Sequence, residues 1–125
     1  MNGVTLDAGG LIAVDKSDRR VVVALRLALD AGMRITVPAG VVGQVWRDGA
    51  RQVRLARLLG SRGVAIEALD DARARAAGQL CGATRTKDVI DAAVVLSAKG
   101  RRDRIFTSDV EDLRRLDADV VLERV

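Results

Sequence analysis

The stretch TKDVIDAAVVLSAKGRRDRIFTSDVED, residues 86–112, contains much of the information that decides the fold. Residues 89–96 are apolar apart from Asp91, and a run of this kind predicts a buried helix that Gly100 ends. Arg104–Thr107 then has the composition of a short buried strand. A buried helix followed by a buried strand is typical of an α/β fold with a parallel sheet.

Four aspartates in this stretch form two pairs, Asp88 with Asp91 and Asp109 with Asp112. The members of each pair are three residues apart, so they share one face near the start of a predicted helix. Asp109 also lies just past the carboxyl end of the predicted strand, which is where ligands bind in open α/β sheets. Carboxylates brought together in this way repel one another, and the pattern therefore predicts a divalent-metal site.

The rest of the chain alternates between strands and helices in the same way. Asp7 stands just past the first predicted strand, as Asp109 does past the later one. Residues 8–10 are predicted to form a tight turn, and Gly32 to end a helix. The patterns predict strands at 4–6, 34–37, 64–69, 104–107 and 120–122, and helices at 11–14, 19–31, 39–48, 51–59, 71–80 and 110–116. This order predicts a single three-layer α/β/α domain over residues 1–125, with a mostly parallel sheet of about five short strands.

The composition is that of a globular protein with an aliphatic core. The chain has 125 residues, of which 49% are apolar and 30% charged. Trp46 and Phe106 are the only aromatic residues, so aromatic platforms for stacking nucleic-acid bases are nearly excluded. The net charge of +4 permits binding to a polyanion but does not require it.

Histidine and tyrosine are absent, and Cys81 is the only cysteine. This excludes Ser–His and Cys–His nucleophilic catalysis, histidine zinc sites and an internal disulfide. A hydrolase of this composition is left with carboxylates and a metal-activated water, and oxygen ligands alone favour Mg²⁺ or Mn²⁺. The sequence shows neither a signal peptide nor an apolar stretch long enough for a membrane span, so we expect a cytoplasmic protein.

The aspartates also have structural interpretations. Asp7 fits a turn at the end of a strand, and Asp88 fits a helix N-cap with Asp91 three residues later. Asp109 and Asp112 fit a cap and a first-turn acid that interact favourably with the helix dipole. Capping explains Asp91 least well, because apolar residues flank it closely on both sides and a carboxylate there is costly unless paired or bound to metal.

Three arginines outside the central stretch are candidates for binding a phosphate backbone. Arg47, Arg51 and Arg54 are predicted to fall on one helical face, and a solvated arginine face is the alternative interpretation.

The motifs taken in order resemble those of PIN domains, and specifically those of the VapC toxins of bacterial toxin–antitoxin modules. The resemblance covers essentially the whole chain. It is carried by four segments: VTLD with LI at residues 4–7 and 11–12, TVP with VVGQV at 36–38 and 41–45, DVIDA at 88–92, and TSDVED at 107–112. It implies a ribonuclease that requires Mg²⁺ or Mn²⁺ and cleaves RNA, a central parallel sheet, a homodimer and a small cognate antitoxin.

The resemblance also implies roles for single residues. Asp7, Asp91 and Asp109 match the core metal-site acids of the family, which are also its catalytic residues. Additional acidic positions of many members correspond to Asp88 and Asp112. The family usually has a glutamate in its second motif, where this sequence has Gln44. A glutamine can donate a neutral oxygen or orient a water but cannot act as a base, and Asp48, one turn later, is a possible substitute.

Two other functions are compatible with the sequence. The first is a degenerate domain that binds RNA or a protein partner without cleaving, which Gln44 favours. The second is a phosphohydrolase or receiver domain with an aspartate nucleophile. The second fits less well, because no additional acid lies next to Asp7 or two residues after it.

Overall fold

The computed structural model describes residues 2–125, which form five strands and seven helices. The strands are β1 (Val4–Leu6), β2 (Ile35–Pro38), β3 (Val64–Glu67), β4 (Arg104–Thr107) and β5 (Leu122–Arg124). The helices are α1 (Ala8–Asp15), α2 (Arg19–Asp30), α3 (Ala39–Val45), α4 (Val53–Leu59), α5 (Asp71–Thr84), α6 (Val89–Arg101) and α7 (Val110–Leu116). No helix within residues 2–125 has the length and apolar character needed to cross a membrane.

The five strands form one sheet in the order β3-β2-β1-β4-β5, and every pair is parallel. Strand β1 is central, with Val4 paired to Ile35 on one side and to Arg104 on the other. Because β1 and β4 are parallel neighbours, their carboxyl ends meet at the same edge of the sheet. The predicted α/β fold is confirmed, and the sheet is wholly rather than mostly parallel.

Helices cover both faces of the sheet. Helix α1 packs against α2, α3 and α4, whereas α6 packs against α5 and α7. Alternate residues of the central strand point to opposite faces, so Leu6 packs in the core towards α1 while Thr5 and Asp7 face α6. The core is aliphatic, as the composition predicts, and Phe106 is the only aromatic side chain in it.

Helix α1 begins earlier than predicted. The segment 8–10 is its first turn rather than a tight turn, because the Asp7 carboxylate caps the helix and accepts a hydrogen bond from the Gly10 N–H at 3.0 Å. A Cβ at Gly9 would lie 2.8 Å from the Ser108 backbone nitrogen, so glycine allows this turn to approach the loop after β4. Asp7 and the residues around Asp109 are thereby packed together.

Several other boundaries differ from the prediction. Helix α3 ends at Val45 because Trp46 is extended, and α5 continues to residue 84 instead of stopping near 80. Helix α6 passes through Gly100 and is terminated by Arg102, which has a φ of 59°. Strand β5 begins two residues later than predicted. Strand β3 ends at Glu67, which is two residues earlier than predicted. The end of α2 agrees with the prediction, since Gly32 has a φ of 77°.

A buried charged network lies beneath α6 and was not predicted. Asp103 is 5% exposed and accepts hydrogen bonds from the Gly3 N–H and the Thr5 hydroxyl, both at 2.8 Å. Arg101 donates to Asp103 at 2.9 Å and to Glu67 at 2.8 Å. Arg101, at the end of α6, therefore joins this helix to β1, to the end of β3 and to the residue before β4.

Candidate active site

Asp7 is the most rigidly held acid at the carboxyl edge of the sheet. Its side chain is 1% exposed and accepts hydrogen bonds from the Gly10 N–H and the Thr107 hydroxyl. Burial raises the pKa of Asp7, the Asp109 carboxylate raises it further, and the two hydrogen bonds oppose this rise. Asp7 is therefore a helix cap rather than a turn residue, and the same contacts fix the direction in which its carboxylate points.

Asp91 is the acid of the site whose pKa is affected by the charges of all the others. It lies in the first turn of α6 and is half-buried. Burial, followed by repulsion from Asp88, Asp7, Asp109 and Asp112 in that order, raises the pKa of Asp91 to about 7. No hydrogen bond lowers this pKa. The other four predicted acids therefore lie close enough to Asp91 for their charges to raise its pKa.

Asp88 and Asp109 occupy corresponding positions before α6 and α7 but make different contacts. Asp88 caps α6 and accepts a hydrogen bond from the Asp91 N–H at 2.9 Å, as its capping interpretation predicts. Asp109 stands at the N-cap position of α7, yet its carboxylate caps nothing. It is exposed, and so is Asp112 in the first turn of the same helix. The carboxylate of Asp109 is thus free to contact a ligand.

Thr107 is a further residue of the site that the sequence analysis missed. It is fully buried at the end of β4 and donates its hydroxyl hydrogen to Asp7. The same oxygen accepts the Asp109 N–H at 2.8 Å. One hydroxyl therefore positions both acids that follow the adjacent strands. A hydroxyl two residues before Asp109, on the face shared with Asp7, is the signal that could have revealed it.

The donor set fits a hard divalent cation by its chemistry. Carboxylate oxygens are the ligands that Mg²⁺ and Mn²⁺ prefer, and a cation would relieve the repulsion that raises the pKa of Asp91. Within residues 2–125, however, no three acidic side chains converge closely enough to enclose an ion as they stand. These two observations are compatible, because the exposed carboxylate of Asp109 makes no cap hydrogen bond and can rotate towards a bound cation, whereas that of Asp112 is held only by an exposed ion pair with Arg115 at 3.9 Å.

The two auxiliary residues of the second motif are exposed. Gln44 lies in the last turn of α3. Asp48 lies in the loop after α3, where it accepts the Ala50 N–H at 3.0 Å and forms an ion pair with Arg51 at 3.7 Å. The contacts of Asp48 are with residues of its own loop. It is not among the carboxylates that raise the pKa of Asp91.

The predicted helical face of Arg47, Arg51 and Arg54 does not form. Helix α3 ends before Arg47, which instead donates to the carbonyl oxygens of Gly43 at 3.1 Å and Trp46 at 2.6 Å. Arg51 lies in the turn before α4, and only Arg54 is helical. The side chain of Gln52 holds this loop by accepting the N–H groups of residues 47 and 48. The shared face was wrong because both helices are shorter than predicted, which leaves Arg47 and Arg51 outside them.

Comparisons with known proteins show what fold this arrangement belongs to. No protein-family profile and no curated protein matches the chain. Among solved structures, VapBC2 from Rickettsia felis bound to a DNA fragment from its promoter is similar, with 16% identity, a TM-score of 0.71 and 98% of each chain covered. FitAB bound to the IR36 DNA fragment has 18% identity and a TM-score of 0.63, covering 97% of this chain and 94% of that one. FitAcB from Neisseria gonorrhoeae has 17% identity and a TM-score of 0.62, with 95% of both chains covered.

The similarity extends over almost the whole chain at low identity, so it concerns the fold. In this chain, the fold is a parallel five-stranded sheet with a layer of helices on each face. The chain therefore shares its α/β fold with chains of the VapBC2, FitAB and FitAcB structures.

Proposed function

We propose that this chain is a metal-dependent endoribonuclease that acts as the toxin of a toxin–antitoxin module. The observation that carries the proposal is that Asp91 is half-buried near Asp88, Asp7, Asp109 and Asp112, whose charges add to the effect of burial in raising its pKa. The similarity in fold to chains of VapBC and FitAB complexes supports the toxin role.

Each acid has a distinct part in the proposed chemistry. When bound, Mg²⁺ or Mn²⁺ would polarise the scissile phosphate and lower the pKa of a bound water for in-line attack. Asp7 presents a carboxylate already oriented by Thr107 and by the Gly10 N–H. Asp91 has to release its proton before it can act as a ligand, and Asp109 completes the set from the adjacent strand end.

The partners follow from the same proposal. The similar structures are named as complexes of two proteins, VapBC and FitAB, and two of them contain DNA. We propose a small cognate antitoxin as the protein partner of this chain, RNA as its substrate, a homodimer as its assembly and the cytoplasm as its location. Arg54 remains a candidate phosphate contact, because it is exposed and makes no ion pair within residues 2–125.

An RNA-binding or partner-binding domain without cleavage is the second candidate. Gln44 favours it, because an exposed neutral amide stands where the PIN family usually has a glutamate. The absence of a preformed three-acid cluster within the described residues favours it too. Binding alone does not require a divalent ion, and this difference separates the two candidates.

The test is a cleavage assay with matched variants. Purified protein is incubated with labelled RNA and Mn²⁺, and wild type is compared with Asp7→Asn. The control is Asp30→Asn, which removes an exposed carboxylate at the end of α2. Cleavage by wild type and Asp30→Asn, but not by Asp7→Asn, supports the proposal. Equal residual cleavage by all three proteins, combined with no heat of Mg²⁺ binding by calorimetry, would favour the non-cleaving domain.

A further inference from the structure

A groove lies on the face of the sheet opposite α6. It has a volume of about 600 Å³ and runs between α2 and the strands β4 and β5, of which β5 is at the edge of the sheet. We call it the β5 groove. Its walls include Leu27 of α2 and Val121, which directly precedes β5. The site acids face α6 or lie at the strand ends, so this groove is separate from them.

The β5 groove contains the two most exposed large apolar side chains of residues 2–125. Leu27 is 63% exposed and Val121 is 56% exposed, and both line the groove, one from α2 and the other from the residue before β5. Isolated apolar side chains on a surface need no explanation, but these two share their groove with further apolar side chains, among them Val4, Ala24 and Met33. Covering such a lining removes apolar area from water, which favours binding of an apolar segment.

The charges around this lining are mostly positive. Four arginines and one acidic side chain, Glu123, border the groove together with Val125; the arginines are Arg20, Arg102, Arg104 and Arg124, of which Arg124 is paired with Glu111 at 3.9 Å. Glu123 is already paired with Arg104 at 3.0 Å. Arg20 and Arg102 form no ion pair with any other described residue. The rim therefore has free positive charge, which complements an acidic partner.

The lining fits a peptide better than it fits RNA. Phe106 is the only aromatic residue in the groove and is 5% exposed, so no ring is available to stack on bases. Strand β5 is also at the edge of the sheet, with one hydrogen-bonding side unpaired. We propose that the β5 groove binds an acidic, amphipathic segment of another protein, whose apolar side chains cover Leu27 and Val121 and whose carboxylates pair with the arginines.

The inference does not depend on RNA cleavage, and a binding assay tests it directly. The probes are fluorescein-labelled peptides of about fifteen residues made of Glu and Leu, in one alternating and one helical pattern. Counterparts with Lys in place of Glu, and oligouridine of similar length, serve as comparison probes. Fluorescence anisotropy is measured with wild type and with the variants Leu27→Asp and Arg20→Glu, both at exposed positions.

Two control variants localise the binding. Val23→Asp changes a side chain of the same helix that is 47% exposed and lies outside the groove. Arg57→Glu changes a second groove, between α2 and α4. We expect wild type to bind a Glu–Leu peptide and neither Lys–Leu peptide, with salt weakening the binding. Leu27→Asp and Arg20→Glu should each weaken it by about tenfold or more, and the two controls by less than about twofold.

Three results would overturn the proposal. The first is no binding of either Glu–Leu peptide below about 1 mM, a weak limit for a specific site. The second is binding that Arg57→Glu abolishes while Leu27→Asp leaves it intact, which would place the peptide in the second groove. The third is binding of oligouridine, but of no peptide, that Arg20→Glu abolishes, which would make this a nucleic-acid groove.

Discussion

Replacing Asp91 with asparagine should stabilise the metal-free protein at pH 8. The raised pKa of Asp91 means that the folded protein keeps a proton that the unfolded chain has already lost. Stability from this group is therefore fully present below about pH 4 and is lost as the pH rises towards and past 7. Asparagine has nearly the same shape without the charge, so it removes the repulsion from the other four acids.

The size of this effect follows from the pKa. A rise from 3.8 to about 7 corresponds to at most about 4 kcal/mol of lost stability when Asp91 is ionised. Asp91 is only half-buried, and solvent screening reduces the expected gain in the variant to roughly 1–2 kcal/mol. For a chain of 125 residues, this gain corresponds to an increase in Tm of about 4–8 °C.

Thermal unfolding followed by circular dichroism measures this difference. Wild type, Asp91→Asn and the control Asp30→Asn are compared in EDTA at pH 5 and pH 8, and again at pH 8 with Mg²⁺. The advantage of Asp91→Asn should be larger at pH 8 than at pH 5, and Mg²⁺ should stabilise wild type more than the variant. A variant less stable than wild type at pH 8, or a difference independent of pH, would refute the electrostatic reasoning.

Three other substitutions test the contacts that hold the site and the sheet. Thr107→Val should cost about 1–3 kcal/mol in urea unfolding, because Asp7 loses a buried hydrogen-bond donor. Thr107→Ser keeps the hydroxyl, so an equal loss in both variants would show that the hydroxyl is not responsible. Arg101→Met should cost about 3–5 kcal/mol, because it leaves the buried Asp103 without its charged partner; a loss below about 1 kcal/mol would contradict this. Arg85→Gly should stabilise the protein by about 0.5–1 kcal/mol, because residue 85 ends α5 with a φ of 58°; a lower Tm would show that the arginine side chain makes a stabilising contact.

The fold could be predicted because it depends on local patterns. Apolar runs, glycines and their order along the chain predict alternating strands and helices, and therefore a parallel sheet. The positions of Asp7 and Asp109 just past two strands could be predicted for the same reason. Because β1 and β4 are parallel neighbours in the structure, Asp7 and Asp109 lie at the same edge of the sheet.

The features that were missed depend on contacts between distant residues. Asp103 bonds to Gly3, one hundred positions away, and no local pattern indicates that the two meet. Thr107 similarly reaches across to the adjacent strand to hold Asp7. The arginine face was wrong for a local reason, since α3 ends before the extended Trp46 and α4 begins only at Val53, which leaves Arg47 and Arg51 in the loop between them.

The central claim is that acids from separate segments bind one divalent cation. Diffraction from crystals soaked in Mn²⁺, with anomalous differences measured at the manganese edge, tests it most directly. The account predicts an anomalous peak at about 2.2 Å from carboxylate oxygens of Asp7, Asp91 and Asp109. A map without a peak at this edge of the sheet, at Mn²⁺ concentrations that support cleavage, would contradict the account.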